Sequence, residues 1–149
     1  MIFKKLISLS VTSLVFSAIR SLAIILLLNQ HAIGADLMVK VSDVEKGKGH
    51  LMIALYESEE TYKSDKASFA QKVEALNSQE IVIFENLPDG EYAIKMYQDE
   101  NDNNNMDFIM GIPQEGYGFS NNVGMFGVPK YTEVKFSVKE STAIEIDLF

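Results

Sequence analysis

From Leu37 the apolar side chains fall on every second residue, Leu37, Val39 and Val41, with Lys40 and Ser42 between them. A period of two predicts a half-buried strand. After the turn-forming Lys46-Gly47-Lys48-Gly49, the run Leu51-Met52-Ile53-Ala54-Leu55-Tyr56 is apolar on both faces, as in a strand at the middle of a sheet. The first two strands therefore read as a hairpin. Glu57 to Lys66 is polar, and Glu59, Glu60 and Tyr62 predict one short helical turn in a surface excursion. Ile81-Val82-Ile83-Phe84 is a third strand, running into the tight-turn order Pro88-Asp89-Gly90. Tyr92, Ile94 and Met96 then alternate with Ala93, Lys95 and Tyr97. Near the C-terminus Val134, Phe136 and Val138 alternate with Glu133, Lys135 and Ser137, and Ile144, Ile146 and Leu148 alternate with Glu145 and Asp147. About seven short strands, little helical period and no internal repeat predict an all-β fold, an antiparallel β-sandwich of Ig-like or transthyretin-like type. Between the strands lies one long stretch, Tyr97 to Pro129, rich in Asn, Gly and aromatics. Ordered loops of that length usually carry function.

The first thirty-five residues have a different pattern. They contain no acid, carry Lys4 and Lys5 near the start, and hold two apolar runs, Leu6 to Ile19 and Ser21 to Leu28, divided by Arg20. This reads as an export signal, with Ala32, Gly34 and Ala35 supplying a cleavage site after Gly34 or Ala35. The competing reading, a retained membrane anchor, needs about 20 apolar residues and would have to pass through Arg20. The domain is then residues 36–149, in the periplasm or outside the cell.

Composition narrows the partners. The chain has 149 residues, 47% of them hydrophobic, 21 acids against 13 bases, and no cysteine. Disulfides, thiolate metal sites and thiol nucleophiles are therefore absent. With Lys4, Lys5 and Arg20 in the signal, the domain keeps ten lysines against all 21 acids, a net charge of 10 − 21 = −11. Phosphate backbones need clustered cations, and anionic membranes repel such a surface. Nucleic acid and membrane are thus not expected partners of the mature domain; a glycan, a peptide or an envelope protein is.

Two segments of the long stretch carry candidate chemistry. Asp99, Asn101, Asn103, Asn105 and Asp107 place an oxygen-bearing side chain on every second residue. Counted from Asp99 as position one of an EF-hand-like loop, they supply side-chain ligands, the Asn105 carbonyl and Asp107, with Asn104 at the position of the sharp turn. The twelfth position is Met110, so a further carboxylate must come from elsewhere, with Glu115 the candidate. The pattern predicts weak calcium binding, on the order of 10⁻⁴–10⁻³ M, in preference to magnesium or zinc. Asx-rich turns that cap their own backbone without a metal are the alternative. Downstream, Glu115, Tyr117, Phe119, Asn121 and Asn122 form a candidate ligand-binding segment, with Phe108 and Phe126 as further apolar bodies. Alternatively these aromatics plug the end of the fold and the asparagines tie the loop to backbone.

The order Asp99-Glu100-Asn101, Asp107, Gly111-Ile112-Pro113, Glu115-Gly116-Tyr117-Gly118-Phe119-Ser120-Asn121-Asn122 and Phe126-Gly127, with Leu87-Pro88-Asp89-Gly90-Glu91-Tyr92 upstream, resembles the uncharacterised exported bacterial family known as domain of unknown function 2141. The resemblance covers nearly all of residues 36–149. It implies an exported β-sandwich of transthyretin-like or carboxypeptidase-regulatory-like type with no established activity. This chain holds Asp102 and Asn104 where the family tends to have glycines. Catalysis is not expected: Ser120 and His50 stand about seventy residues apart with no nucleophile-elbow motif, and nothing in the spacing selects a carboxylate pair such as Asp107 and Glu115. A structural, envelope-associated domain without a ligand is the remaining alternative.

Overall fold

Alternation along the first strand becomes burial in the computed structural model, which describes residues 34–124 and 127–149. The expected signal segment, apart from its last two residues, and Phe126 lie outside the described residues. β1 (Ala35–Ser42) turns Leu37, Val39 and Val41 fully inward. The following strands are β2 (His50–Tyr56), β3 (Phe69–Glu74), β4 (Glu80–Leu87) and β5 (Gly90–Asp99). β6 (Phe108–Ile109), β7 (Ile112–Pro113) and β8 (Tyr117–Phe119) lie within the long stretch, and β9 (Phe136–Val138) and β10 (Thr142–Asp147) close the chain. Among the described residues two short α-helices, α1 (Glu59–Lys63) and α2 (Tyr131–Val134), and a 3-10 turn (Ser120–Asn122) interrupt this mostly β order. α1 is the helical turn expected around Tyr62, started by a capping box in which Ser58 and Thr61 bond reciprocally.

One sheet has the order β10-β1-β4 and another the order β3-β2-β5-β8, with β9 pairing the first residues of β5; neither closes on itself. This corrects the hairpin expected of β1 and β2. β1 pairs instead with β4, antiparallel, and with β10, parallel, so the fold is not uniformly antiparallel. Among the described residues the strands number ten, not about seven. The Pro88-Asp89-Gly90 turn also carries the chain from one sheet to the other, held by the Tyr92 hydroxyl donating to the Pro88 carbonyl at 2.8 Å. Val134 belongs to α2 and not to a strand: the Glu133 carboxylate accepts the Lys130 backbone N–H at 2.8 Å and winds one helical turn before β9 begins.

The inward faces of the two sheets share one core. Leu37, Val39 and Val41 meet Val82 and Phe84 of β4, Ile146 of β10, Leu51, Ile53 and Leu55 of β2, and Tyr92, Ile94 and Met96 of β5. Each such side chain removed from water contributes about 1.5–3 kcal/mol before chain entropy is counted. A second cluster lies on the opposite face of β2 and β5, where Tyr56, Ala93 and Phe119 pack with Tyr62 of α1 and with Tyr131 and Val134 of α2. At one margin Gln71 of β3 donates to the Ile83 carbonyl of β4 at 2.7 Å. At the other, the Phe149 N–H donates to the Tyr117 carbonyl at 2.8 Å.

Gly49 has φ +56° where β2 begins, and a Cβ there would overlap the Asp99 carbonyl. Gly47, at φ +76°, has open space around it. Gly49→Ala is therefore expected to destabilise the domain by more than about 2 kcal/mol and Gly47→Ala by about 1 kcal/mol, as measured by urea unfolding.

Candidate cation loop and adjoining cleft

β5 delivers Asp99 to its end paired with His50, and the carboxylate is fully buried. Its two oxygens organise the loop that follows. Oδ1 accepts the Asn103 N–H at 3.1 Å and Oδ2 the Asn104 N–H at 2.8 Å. The Asn101 side-chain oxygen also accepts from the Asn103 N–H at 3.0 Å, and that of Asn103 accepts from the Asn105 N–H at 2.7 Å, two successive Asx turns. Asp102 and Asn104 take left-handed backbone at φ 60° and 61°. Short side chains of this kind tolerate that region, which explains how Asn104 serves at the sharp turn without glycine.

Asp107 returns to the same place. Its carboxylate accepts from the Asn101 side-chain amide at 2.7 Å and from that of Asn103 at 3.1 and 3.2 Å. Glu115, 6% exposed, closes the loop by accepting the Glu100 N–H on one oxygen and the Asp107 N–H on the other, both at 3.0 Å. Asp99, Asn101, Asn103 and Asp107 are thus brought together with Glu115, and Asn105, expected to offer its backbone carbonyl, follows Asn103 in the same run of turns. The side chain of Asn105 is turned back onto the Asn103 carbonyl at 2.9 Å. Among the described residues no three His, Cys, Asp or Glu side chains form a cation cage by themselves, so a cation here would draw on amide and carbonyl oxygens as well.

Cations of the protein's own flank the loop. His50 Nδ1 pairs with Asp102, and Lys72 stands 3.5 Å from Asp102 while donating to the Asn104 side chain at 3.0 Å. His50 first and Lys72 second hold the Asp102 carboxyl below its usual range. Lys48 bridges Glu45 and Glu100, whose carboxylates raise its pKa.

Beside the loop, the outer face of the β3-β2-β5-β8 sheet forms a cleft of about 760 Å³. Strand register orders its floor. One row runs Lys72, Met52, Tyr97, Tyr117 and the next Ala70, Ala54, Lys95, Phe119. Met106, Phe108, Pro113 and Val128 overhang it from the long stretch. At one end the Lys95 ammonium donates to Asp65 at 2.7 Å and to the Tyr62 carbonyl at 2.9 Å, and lies 4.9 and 4.3 Å from the Tyr56 and Tyr62 ring centroids. Burial, and next the hydrogen bond to Asp65, push the Tyr56 phenol up; burial, and next the charge of Asp65, push Tyr62 up to about 12. Tyr97 joins cleft to loop, since burial first and then the charges of Asp99 and Glu115 raise its pKa.

Tyr117, half-buried, and Phe119, buried, both line this cleft, with ring centroids 6.1 Å apart in an edge-on arrangement. Asn121 and Asn122 do not. Asn121 donates to the Glu133 and Lys135 carbonyls, and Asn122 exchanges hydrogen bonds with Asp147 of β10, so both act as ties. The Ser120 hydroxyl is likewise engaged, accepting the Ile94 N–H at 3.0 Å and donating to the Val134 carbonyl at 2.5 Å. Lys72, Lys95, Asp65, Met52 and Ala54 escaped the sequence reading. Only the apolar second face of β2 signalled that this side of the sheet is covered.

Fold and site together describe a mostly β domain in which an Asx-rich loop abuts an aromatic cleft. The chain belongs to the bacterial family DUF2141, described as an uncharacterised protein conserved in bacteria, whose profile matches residues 39–145. No curated protein and no solved structure matches the chain.

Two outcomes are expected of this geometry. Glu115→Gln leaves an amide N–H facing a backbone N–H, and should cost about 1–3 kcal/mol in denaturant unfolding. The Tyr62 phenol titrates near 12 when folded against an ordinary 10.0, so the stability it contributes is fully present below pH 10 and is lost as pH rises from 10 through 12. Thermal midpoints should fall over that interval, less steeply for Tyr62→Phe, which also loses about 1 kcal/mol at neutral pH with its bond to the Pro129 carbonyl.

Proposed function

We propose that this chain is an exported, non-catalytic β-sandwich module that binds calcium weakly through Asp99, Asn101, Asn103, the Asn105 carbonyl and Asp107, with Glu115 as a further carboxylate, and takes a glycan or peptide in the adjoining aromatic cleft. The observation that carries the reading is the convergence of Asp99, Asp107 and Glu115 on one loop whose turn residue, Asn104, has left-handed backbone. The core that the inward faces of the two sheets share supports the sandwich. Calcium takes six to eight hard oxygens in flexible geometry, and a loop held by its own Asx turns presents them with little further ordering.

A second reading has its own observation. Every carboxylate of the loop already accepts from a protein N–H, as expected of a solvated turn in a structural, envelope-associated domain without a ligand. Thermal unfolding with calcium, magnesium or chelator separates the two. Calcium at one hundred times its dissociation constant should add about 2.7 kcal/mol, raising the midpoint by roughly 10 °C. Asp99→Ala/Asp107→Ala should abolish the shift, and no shift at several millimolar calcium favours the structural reading.

Export rests on the acid-free apolar stretch before the domain. β1 begins at Ala35, which is buried and pairs with Leu87, so cleavage after Gly34 keeps the first strand whole whereas cleavage after Ala35 removes a packed residue. Mass spectrometry of the protein recovered from the cell envelope is expected to find Ala35 as the first residue. A full-length mass would assign the stretch to an anchor.

A further inference from the structure

Alternation along β2 puts His50, Met52, Ala54 and Tyr56 on its outer face, and each end of that row meets an aspartate from a loop. At one end His50 Nδ1 pairs with Asp102, just past the Lys72 end of the cleft. At the other the Tyr56 hydroxyl donates to Asp65 at 2.8 Å, on the Oδ1 that also takes the Lys95 ammonium. His50 and Tyr56 are the first and last of the strand's seven residues, which sets them about 20 Å apart at the rise of a strand.

In both clusters the protein's own cations are turned inward and the carboxylate outward. The Asp65 side chain is 73% exposed against 21% for Lys95, and that of Asp102 is 51% exposed against 30% for His50 and 38% for Lys72. Every one of these contacts falls on Oδ1, so the Oδ2 oxygens of Asp65 and Asp102 accept no hydrogen bond from the described residues. Between the two carboxylates the floor is Met52, Ala54 and Ala70, overhung by Met106 and Phe108. Alanines beside flexible methionines leave hollows that suit the alternate side chains of an extended chain. β3 ends its sheet and lines the same cleft, so one edge of its backbone has no strand partner among the described residues. A free strand edge is read by peptide backbone.

We infer that the cleft takes an extended basic peptide segment, with apolar side chains on Met52 and Ala54 and a cationic residue at each end meeting Asp65 and Asp102. The inference rests on the cleft reading above and narrows it to a peptide of one sign of charge. The domain's surplus of acids over lysines and the acidic Asp99–Asp107 loop beside the cleft favour the same sign. Lys72 and Lys95 do not oppose it, because each is already held by the aspartate at its own end.

The test is isothermal titration calorimetry of the purified protein, in chelator, with the acetylated and amidated heptapeptide Lys-Ser-Leu-Ser-Leu-Ser-Lys, and circular dichroism as a fold control. Extended, this peptide sets its lysines about 20 Å apart with both leucines on the same side. Binding is expected, and it should weaken as salt rises. Asp65→Asn and Asp102→Asn should each raise Kd about threefold, and together about tenfold, with unchanged dichroism. Ala70→Trp, filling the cleft from an exposed strand position, should abolish binding. Glu140→Gln removes the same charge from the turn between β9 and β10 and should leave Kd unchanged. A Kd indifferent to both aspartate variants, an equal loss with Glu140→Gln, or equal affinity for the peptide with glutamates in place of its lysines overturns the inference and leaves the cleft a peptide site. Binding of a neutral hexasaccharide but not the peptide, blocked by Ala70→Trp, overturns it and assigns the cleft to a glycan. If neither binds with a Kd below about 1 mM, this inference and the cleft reading fall together.

Discussion

Everything in the domain is hung on β5. It pairs β2 along one side and β8 and β9 along the other, and its inward residues Tyr92, Ile94 and Met96 form the middle of the shared core. Its outward residues, Ala93, Lys95 and Tyr97, carry the second cluster and the floor of the cleft. It then ends in a buried Asp99 whose carboxylate sets the first turn of the loop. A shift of this strand by one residue would exchange its two faces and put Lys95 and Tyr97 into the core, so the position of the loop follows from the packing of the strand. Loop and cleft are two consequences of one register.

Electrostatics couples them. Asp99, Asp107 and Glu115 concentrate negative charge at one end of β5, and backbone N–H groups, His50 and Lys72 offset part of it. Tyr97 lies within reach of both, and its phenol is held protonated by burial and by the same carboxylates. A cation entering the loop would relieve that charge beside the cleft. Glu115 holds the loop closed at Glu100 and Asp107, and after one intervening residue begins the strand that brings Tyr117 and Phe119 to the cleft.

The strands with a clean period of two were legible because burial on one face leaves that trace: Leu37, Val39 and Val41, or Tyr92, Ile94 and Met96. Their partners were not. Nearness in sequence suggested a hairpin for β1 and β2, whereas β1 pairs with β10 from a hundred residues away, a choice made by core packing that local pattern does not encode. β3 was missed because Phe69-Ala70-Gln71-Lys72-Val73-Glu74 is a largely exposed edge strand with weak alternation. Val134 fits a strand and a helix equally well by spacing, and the Glu133 cap on Lys130 decides between them. At the site, the alternate oxygens of Asp99 to Asp107 were readable as a cation loop or as Asx turns capping their own backbone, and Glu115 as a further carboxylate for the ion, whereas its bonds to the Glu100 and Asp107 N–H groups left no trace in the spacing. His50, Lys72 and Lys95 reach the site through strand pairing, and Asp65 through the turn that follows α1.

The central claim is that the oxygens of Asp99, Asp107 and Glu115 belong to one cation-binding loop. Anomalous diffraction from crystals grown in calcium tests it most directly. The account predicts one calcium peak, with carboxylate oxygens of Asp99 and Asp107 at about 2.3–2.6 Å from it. A loop that keeps its internal hydrogen bonds with no peak at millimolar calcium would contradict the account.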